Sequence, residues 1–384
     1  PDGVAHAMEE DDLPLELPDL EDFQPAAGTV APLARKRDWV ELPDGWRRET
    51  DTMPGFAGSS WYFLRYMDAR NNHAFASREA IHYWRDVDLY VGGTEHAVGH
   101  LMYSRFWHKF LYDKGLVPTV EPFRKLVNQG MIQGVIEFIY LMKAAGGEEV
   151  RQFVSADLLE NYPDATFVEI PVHIDFVVNY GSEDSYLDEA GIERFQEWRP
   201  EYADAHFETN DAGRLMTKSE VGKMSKRYFN VVNPDDIVER YGADCFRMYE
   251  MFLGPIDQAK PWDTNGIDGV SKFLRRFWSL FYDEQGRWQV IDEAPDKAEL
   301  KILHTAIKKV NEDIERLSFN TCVSAFMVAT NDLKKRKSSK RAVLRDLVLL
   351  IAPFAPHLAE ALWHQLGEKG SIHVGGAYPV ANDT

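Results

Sequence analysis

Asp88-Leu89-Tyr90-Val91-Gly92-Gly93-Thr94-Glu95-His96-Ala97-Val98-Gly99-His100 is the stretch on which the fold turns. Asp88 to Val91 has strand character and ends in a glycine pair. A helix pattern follows from about Glu95 to Lys114 and stops at Gly115. The next apolar strand is expected near Leu126-Val127, with Gly130-Met131-Ile132 behind it. Strand, glycine turn, helix, strand is the unit of a parallel sheet, so residues 50–134 predict α/β structure. Glycines at a strand end also let a backbone approach a nucleotide closely. Glu95, at the helix start, can accept ribose hydroxyls. His96 and His100 lie one helical turn apart on one face. Such a pair can also bind zinc, but HExxH wants Glu directly after the first His, and Ala97 stands there. A plain pair of structural histidines is a third reading.

Toward the N-terminus lies Phe56-Ala57-Gly58-Ser59-Ser60-Trp61-Tyr62-Phe63-Leu64-Arg65-Tyr66. Aromatic rings with two hydroxyls can line a small apolar pocket or simply pack a core. Residues 1–50 are rich in Pro, Asp and Glu and read as an extended connector with short strands. The chain begins Pro-Asp-Gly and then turns acidic, so no signal peptide is expected, and the lack of a starting Met suggests a processed or partial chain.

Toward the C-terminus, residues 135–220 break the α/β rhythm. Short β patterns, Phe167–Ile170 and His173–Val178, alternate with acidic turns and suggest an inserted β module. Lys223-Met224-Ser225-Lys226-Arg227 follows. Two lysines three apart in a loop can reach one anion, and nucleotidyl transfer develops negative charge that such cations stabilise. A solvated basic loop is the blander alternative. Asn233 then caps a helix with Pro234 in its first turn and Asp235 and Asp236 against the dipole; Gly242 ends it. From about residue 271 the pattern is all-helical. Leu300, Leu303, Ile307, Val310 and Ile314 repeat at helical steps, as do Leu344, Leu347, Val348 and Ile351, and Leu358, Leu362 and Leu366.

Composition bounds these readings. The 384 residues allow two or three domains. Hydrophobic residues at 45% and charged residues at 27% are those of an ordinary globular chain. No apolar run reaches the ~18 residues of a membrane span. Two isolated cysteines, Cys245 and Cys322, exclude a disulfide framework and fit a reducing cytoplasm. The net charge of −19 excludes a broadly nucleic-acid-coating protein. A nucleic-acid partner needs local basic patches, and the candidates are Arg35-Lys36-Arg37, Arg275-Arg276 and Lys334-Lys335-Arg336-Lys337 with Lys340-Arg341.

The motifs together resemble one family. Lys-Met-Ser-Lys, followed by Asn230-Val231-Val232-Asn233-Pro234-Asp235-Asp236-Ile237 and Tyr241-Gly242-Ala243-Asp244, resembles the KMSKS signature of class I aminoacyl-tRNA synthetases, with Arg227 where the family usually has Ser. Asp51-Thr52-Met53, Ser59-Ser60-Trp61-Tyr62, Gly92-Gly93-x-Glu95-His96, His100 to Phe106 and the lysine loop stand in the order found in bacterial leucyl-tRNA synthetases. Isoleucine and valine enzymes usually carry a different string at Gly93 to His96. Ala352 to Glu360 is similar to that family's anticodon-binding bundle.

The resemblance implies the second half of a Rossmann-like class I catalytic domain (1–134), a small leucine-specific insertion with β structure (135–220), the KMSKS loop with helices near the tRNA stem (221–270), and an α-helical anticodon-binding domain (271–384). It implies ATP-dependent ligation of leucine to tRNA(Leu) through leucyl-adenylate, with ATP arriving as its Mg2+ complex. Phe56, Ser59, Tyr62, Tyr90, His96 and His100 would hold leucine. Gly92, Gly93, Glu95 and Met131 would hold the adenylate, and Lys223 and Lys226 the phosphates. The HIGH string and the editing domain are missing, so the chain is expected neither to activate leucine nor to edit by itself, and to need an N-terminal half. The alternatives are a non-catalytic fragment or split subunit that binds tRNA, and a synthetase for another aliphatic amino acid. Family members often carry zinc near Asp38 to Arg48; that stretch has no Cys or His here, so no zinc is expected.

Overall fold

A computed structural model describes residues 3–20, 31–51, 55–143 and 149–382. Thr52 and Met53 of the quoted motif lie outside them. The chain divides into two compact units, Pro1–Val127 and Asn128–Thr384.

Among its described residues, the first unit begins with turns, not with the short strands expected for residues 1–50. Three 3-10 turns, Glu10–Asp12, Pro32–Arg35 and Pro43–Gly45, and a helical turn, Arg37–Val40, are accompanied by a β-bridge of Glu41 to Arg47. Proline explains this: it fixes φ near the helical value and removes a ladder donor, so Pro32 and Pro43 start turns. Then come α1 (Tyr62–Tyr66), α2 (Arg78–Trp84), β1 (Tyr90–Gly93) and α3 (Tyr103–Asp113). Phe63, Leu64, Ala76, Ile81 and Val117 form the core. Val87 bridges Phe123 in the parallel sense, and the Tyr90 N–H donates to the Lys125 carbonyl at 2.9 Å. The helix expected from Glu95 is not uniform. It opens as a 3-10 turn, Thr94–His96, and a π-helical stretch, Ala97–Met102, before α3. Gly99 faces the Phe56 ring, where a Cβ would come within 2.8 Å. Single π turns of this kind concentrate at functional sites.

The second unit is organised by β2 (Ile132–Lys143), whose residues 134–141 are all buried. Such a run marks a strand covered on both faces. β2 pairs antiparallel with β3 (Glu149–Val154), β4 (Thr166–Val172) and β6 (Lys218–Lys223), and parallel with β7 (Lys260–Pro261); β5 (His206–Glu208) runs parallel to β3. The large sheet is therefore mixed. It lies within residues 132–261, whereas the parallel strand–helix–strand unit of the sequence reading is confined to the pairing near Val87 and Tyr90. The expected β pattern at His173–Val178 is instead a 3-10 turn, Ile174–Phe176, because the His173 ring accepts the Asp175 N–H at 3.3 Å and closes it. Helix α4 (Glu189–Trp198) closes the module's own core around Ile139, Leu141, Phe153, Phe195 and Leu215.

The rest is helical: α5 (Pro234–Tyr241), α6 (Ala243–Phe252), α7 (Thr264–Trp278), α8 (Lys297–Glu315), α9 (Phe319–Lys335), α10 (Arg341–Ile351) and α11 (Pro356–Gln365). Asn233 caps α5 as its sequence suggests, its side chain accepting the Asp235 N–H at 3.2 Å. The leucine and valine stripes meet in one core from Ile237 to Ile372. One long-range contact ties two quoted strings together. Asp244, at the start of α6, accepts the N–H groups of His357 (3.2 Å) and Leu358 (2.6 Å) and so caps α11. Asp244→Ala should cost about 1–2 kcal/mol, the usual worth of an N-cap, in denaturant unfolding. Asp244→Asn, which keeps an acceptor, should cost less.

Candidate functional site

In the first unit the sequence candidates gather around His100. The Tyr62 and Tyr90 hydroxyls lie 2.7 Å apart, Tyr90 Oη is 2.6 Å from His100 Nε2, and Ser104 Oγ is 3.4 Å from His100 Nδ1. The Tyr90 ring stacks on Phe123 at 3.9 Å, which fixes where its hydroxyl points. Burial, and then the neighbouring Tyr62, push the Tyr90 phenol far above its ordinary 10. Burial, and then His96, hold His100 below its ordinary 6.5. The relay is thus neutral in either polarity, and an apolar group can lie against it without facing a charge.

Around this relay the other candidates differ in exposure. Ser59 donates to the Phe56 carbonyl at 3.1 Å, so its hydroxyl closes the local turn. Phe56, Glu95 and His96 are exposed. The Glu95 carboxylate folds over Gly93 and lies 3.9 Å from His96 Nε2. A Cβ at Gly92 would meet nothing within 4 Å, so this side of the strand end is open to an approaching group.

His108 was not singled out in the sequence. It is 1% exposed and its Nε2 bonds the Thr119 carbonyl at 2.9 Å, with burial lowering its pKa. Its place in the Tyr103 to Asp113 helix pattern was the only signal. His100 and His108 make the first unit acid-sensitive. Both are depressed in the fold, so the unfolded chain binds protons first as pH falls. Their contribution is complete above the ordinary value of 6.5 and is lost as pH falls through the lower folded values. The protection of amides in residues 56–127, taken relative to their intrinsic exchange rates, should fall as pH drops below about 6.5, and His108→Gln should flatten that dependence.

In the second unit β2 pairs with β6, and β6 runs directly into the lysine loop. The two strands pair from Gln133 with Lys223 to Phe138 with Lys218. Gly134 lies opposite Gly222, and a Cβ on Gly134 would stand 2.7 Å from Asn230 and 3.0 Å from Met224. The glycine lets the loop fold back onto the strand. Asn230, 0% exposed, holds it there: its Oδ1 accepts the Ser225 N–H at 3.0 Å and its Nδ2 donates to the Lys223 carbonyl at 3.4 Å. Neither Gly134 nor Asn230 was given a role from the sequence. Asn230 stands inside the quoted family string, but an asparagine whose partners sit five and seven residues back has no periodic signature. Lys223, Lys226 and Arg227 remain exposed, with Arg227 over the Tyr228 ring at 5.8 Å. Ser225 Oγ is buried without a hydrogen-bond partner. Met131 precedes this stem, its carbonyl accepting the Lys260 N–H at 3.0 Å.

Two of the basic patches converge. The Arg276 guanidinium donates to Asn331 on α9 at 2.7 Å, and Lys334 donates to Ser279 just beyond α7. Arg275 bonds Ser271 at 3.0 Å. These three cations donate to neutral groups. By contrast, Arg336, Lys340 and Arg341 are paired with Asp296, Glu293 and Asp292.

In the second unit a mixed sheet whose stem carries a double-lysine loop is followed by a helical bundle with a basic corner. Residues 296–384 match the anticodon-binding domain of tRNA ligase. The whole chain is 53% identical to a leucine–tRNA ligase of Porphyromonas gingivalis, covering 39% of that protein, and 50% identical, again over its full length, to one of Bacteroides thetaiotaomicron, covering 40%. The structure superposes with a TM-score of 0.61 on a LeuRS–tRNA–LeuAMS ternary complex from Agrobacterium radiobacter, at 27% identity over 93% of this chain and 38% of that one. The chain belongs to the leucine–tRNA ligase family and spans about two fifths of the length of the curated relatives it matches. Among the described residues, no helix is long and apolar enough to cross a membrane.

Proposed function

We propose that this chain supplies part of the site for ATP-dependent joining of leucine to tRNA(Leu) through leucyl-adenylate. The observation that carries this is the lysine loop, mounted on the Gly134–Gly222 stem and braced by Asn230, with Lys223 and Lys226 exposed. Leucine's carboxylate attacks the α-phosphate of ATP, delivered with Mg2+, and pyrophosphate leaves. The terminal hydroxyl of the tRNA then takes the leucyl group and releases AMP. No protein nucleophile is required, since positioning and charge stabilisation suffice. Lys226, with Lys223, neutralises the departing phosphates. Gly92 and Gly93 admit the nucleotide, Glu95 accepts its ribose hydroxyls, and Met131 lies against the adenine. Phe56, Ser59, Tyr62, Tyr90, His96 and His100 receive the leucyl group, the neutral relay suiting an aliphatic side chain. The domain division at 134, 220 and 270 belongs to the same reading.

Arg275, Arg276 and Lys334 are the cations for the tRNA backbone. They also favour a second reading, in which this chain by itself serves as a tRNA-binding part. The test is leucine-dependent pyrophosphate exchange by the chain alone and together with the segment of the longer relatives that it does not span. Exchange only in the mixture supports a partial catalytic site. No exchange in either, with tRNA binding retained, supports the second reading.

A further inference from the structure

Arg247 and Glu250 stand three apart on α6, so their side chains share one face of that helix. Opposite charges at this spacing commonly pair. These two do not pair with each other. The Arg247 guanidinium turns aside and donates to the Pro353 carbonyl at 3.2 Å. The half-buried Glu250 carboxylate has no hydrogen-bond or ion-pair partner among the described residues. Burial holds its pKa above the ordinary 4.5, and the Arg247 charge offsets this in part. A carboxylate so placed is stabilised by any cation that reaches it.

Both residues line one cavity of about 510 Å³, the size of a small-molecule site. Most of the remaining wall is apolar. Met251 comes from α6, Ile314 from α8, Phe319 from α9, and Phe354 from the turn between α10 and α11. Phe354 is held in place, its ring edge-on to Phe319 at 6.2 Å and to Phe326 at 5.1 Å. Tyr378 also lines the cavity, but its hydroxyl donates to the Leu350 carbonyl at 3.4 Å. The two charges are thus the free polar features of an otherwise oily space. A lone ammonium would satisfy Glu250 but face Arg247, and a lone carboxylate would meet the reverse. A small molecule with both charges close together and an apolar remainder suits all three. Side chains three apart on a helix start about 5–6 Å from each other, a gap that the ammonium and carboxylate of an α-amino acid can bridge.

We infer that this cavity binds a free apolar α-amino acid, Glu250 accepting from its ammonium, Arg247 donating to its carboxylate, and Phe319 and Phe354 packing on its side chain. The site draws every residue from the second unit and none from the relay around His100.

Isothermal titration calorimetry on the chain tests this. L-Phenylalanine is the probe, because leucine would also fill the leucyl site proposed in the first unit. Phenethylamine lacks its carboxylate, and 3-phenylpropanoate lacks its ammonium. L-Phenylalanine should bind at least about tenfold more tightly than either, the effect of one charge-assisted contact. Glu250→Gln should weaken L-phenylalanine about tenfold while 3-phenylpropanoate binds no worse. Arg247→Gln should weaken L-phenylalanine by a similar factor while phenethylamine binds no worse. Should a variant fail to fold, the three ligands on the native chain still decide. No binding of L-phenylalanine overturns the proposal. Equal binding of phenethylamine or 3-phenylpropanoate does so too, because the cavity would then take a plain hydrophobic ion. An affinity for L-phenylalanine unchanged in either variant also overturns it, by removing that charge from the site.

Discussion

Lys226→Ala is expected to slow leucine-dependent pyrophosphate exchange by about 100- to 1000-fold, the usual cost of removing one preorganised group aimed at transition-state charge. Lys226 is exposed, on a turn that Asn230 braces from below. Truncating it removes a cation without disturbing a core, so the unfolding free energy should stay within about 0.5 kcal/mol of the native value. Lys226→Arg keeps the charge but presents a planar fork where a point charge acted, and should recover only part of the rate. Lys223 lies at the end of β6 and assists Lys226 in this reading, so Lys223→Ala should cost less than Lys226→Ala. Steady-state exchange at saturating leucine measures all three. In the mixture with the segment this chain does not span, equal exchange rates for the native chain and Lys226→Ala would remove the loop from the chemistry.

The second large effect is expected in stability. Glu137 sits in the middle of β2 with no exposed surface. Ser185 and Thr217 donate to its Oε2 at 3.0 and 2.6 Å, and Ser219 and the Gly181 N–H donate to its Oε1 at 2.8 and 3.0 Å. Four donors from two stretches, 181–185 and 217–219, converge on one carboxylate. Glu137→Ala removes the shared acceptor of the buried Ser185 and Thr217 hydroxyls, leaving them each other and Ser219, and it leaves the Gly181 N–H without its carboxylate. A loss of about 2–4 kcal/mol is expected in denaturant unfolding. Glu137→Gln should be milder, because the hydroxyls can turn and accept from the amide whereas the Gly181 N–H cannot turn. Hydrogen exchange should show the loss in β2 and β6, and through β6 in the lysine loop. A fully native exchange pattern in Glu137→Ala would contradict this account.

These two residues show how unevenly the sequence speaks. Lys223 and Lys226 announce themselves, because short basic strings with a fixed neighbourhood are rare. Glu137 does not. In sequence it is one acid inside an apolar run, a position that argues against burial until Ser185, Thr217 and Ser219 are seen to meet it from about 50 to 80 residues away. The helices were legible for the opposite reason. Leu303, Ile307 and Val310 repeat within one element, and all are buried as their spacing predicts. Errors fell where local geometry departs from a period. The prolines made turns of the expected strands before residue 50, and Gly99 with the Phe56 ring accompanies a π-helical stretch in the helix after Glu95.

The strand that begins the story keeps that division. From Tyr90 to His100 the sequence by itself determined a strand and a glycine turn and, with the lysine loop, a resemblance to one family. Those features depend on residues close together in the chain, where propensity and spacing act. Only the tertiary structure decided that Tyr62, Tyr90, His100 and Ser104 form one neutral relay, and that Asn230 and Gly134 seat the lysines. Each of those depends on where a side chain meets a distant one, and burial and hydrogen-bond satisfaction are settled only when the chain is packed.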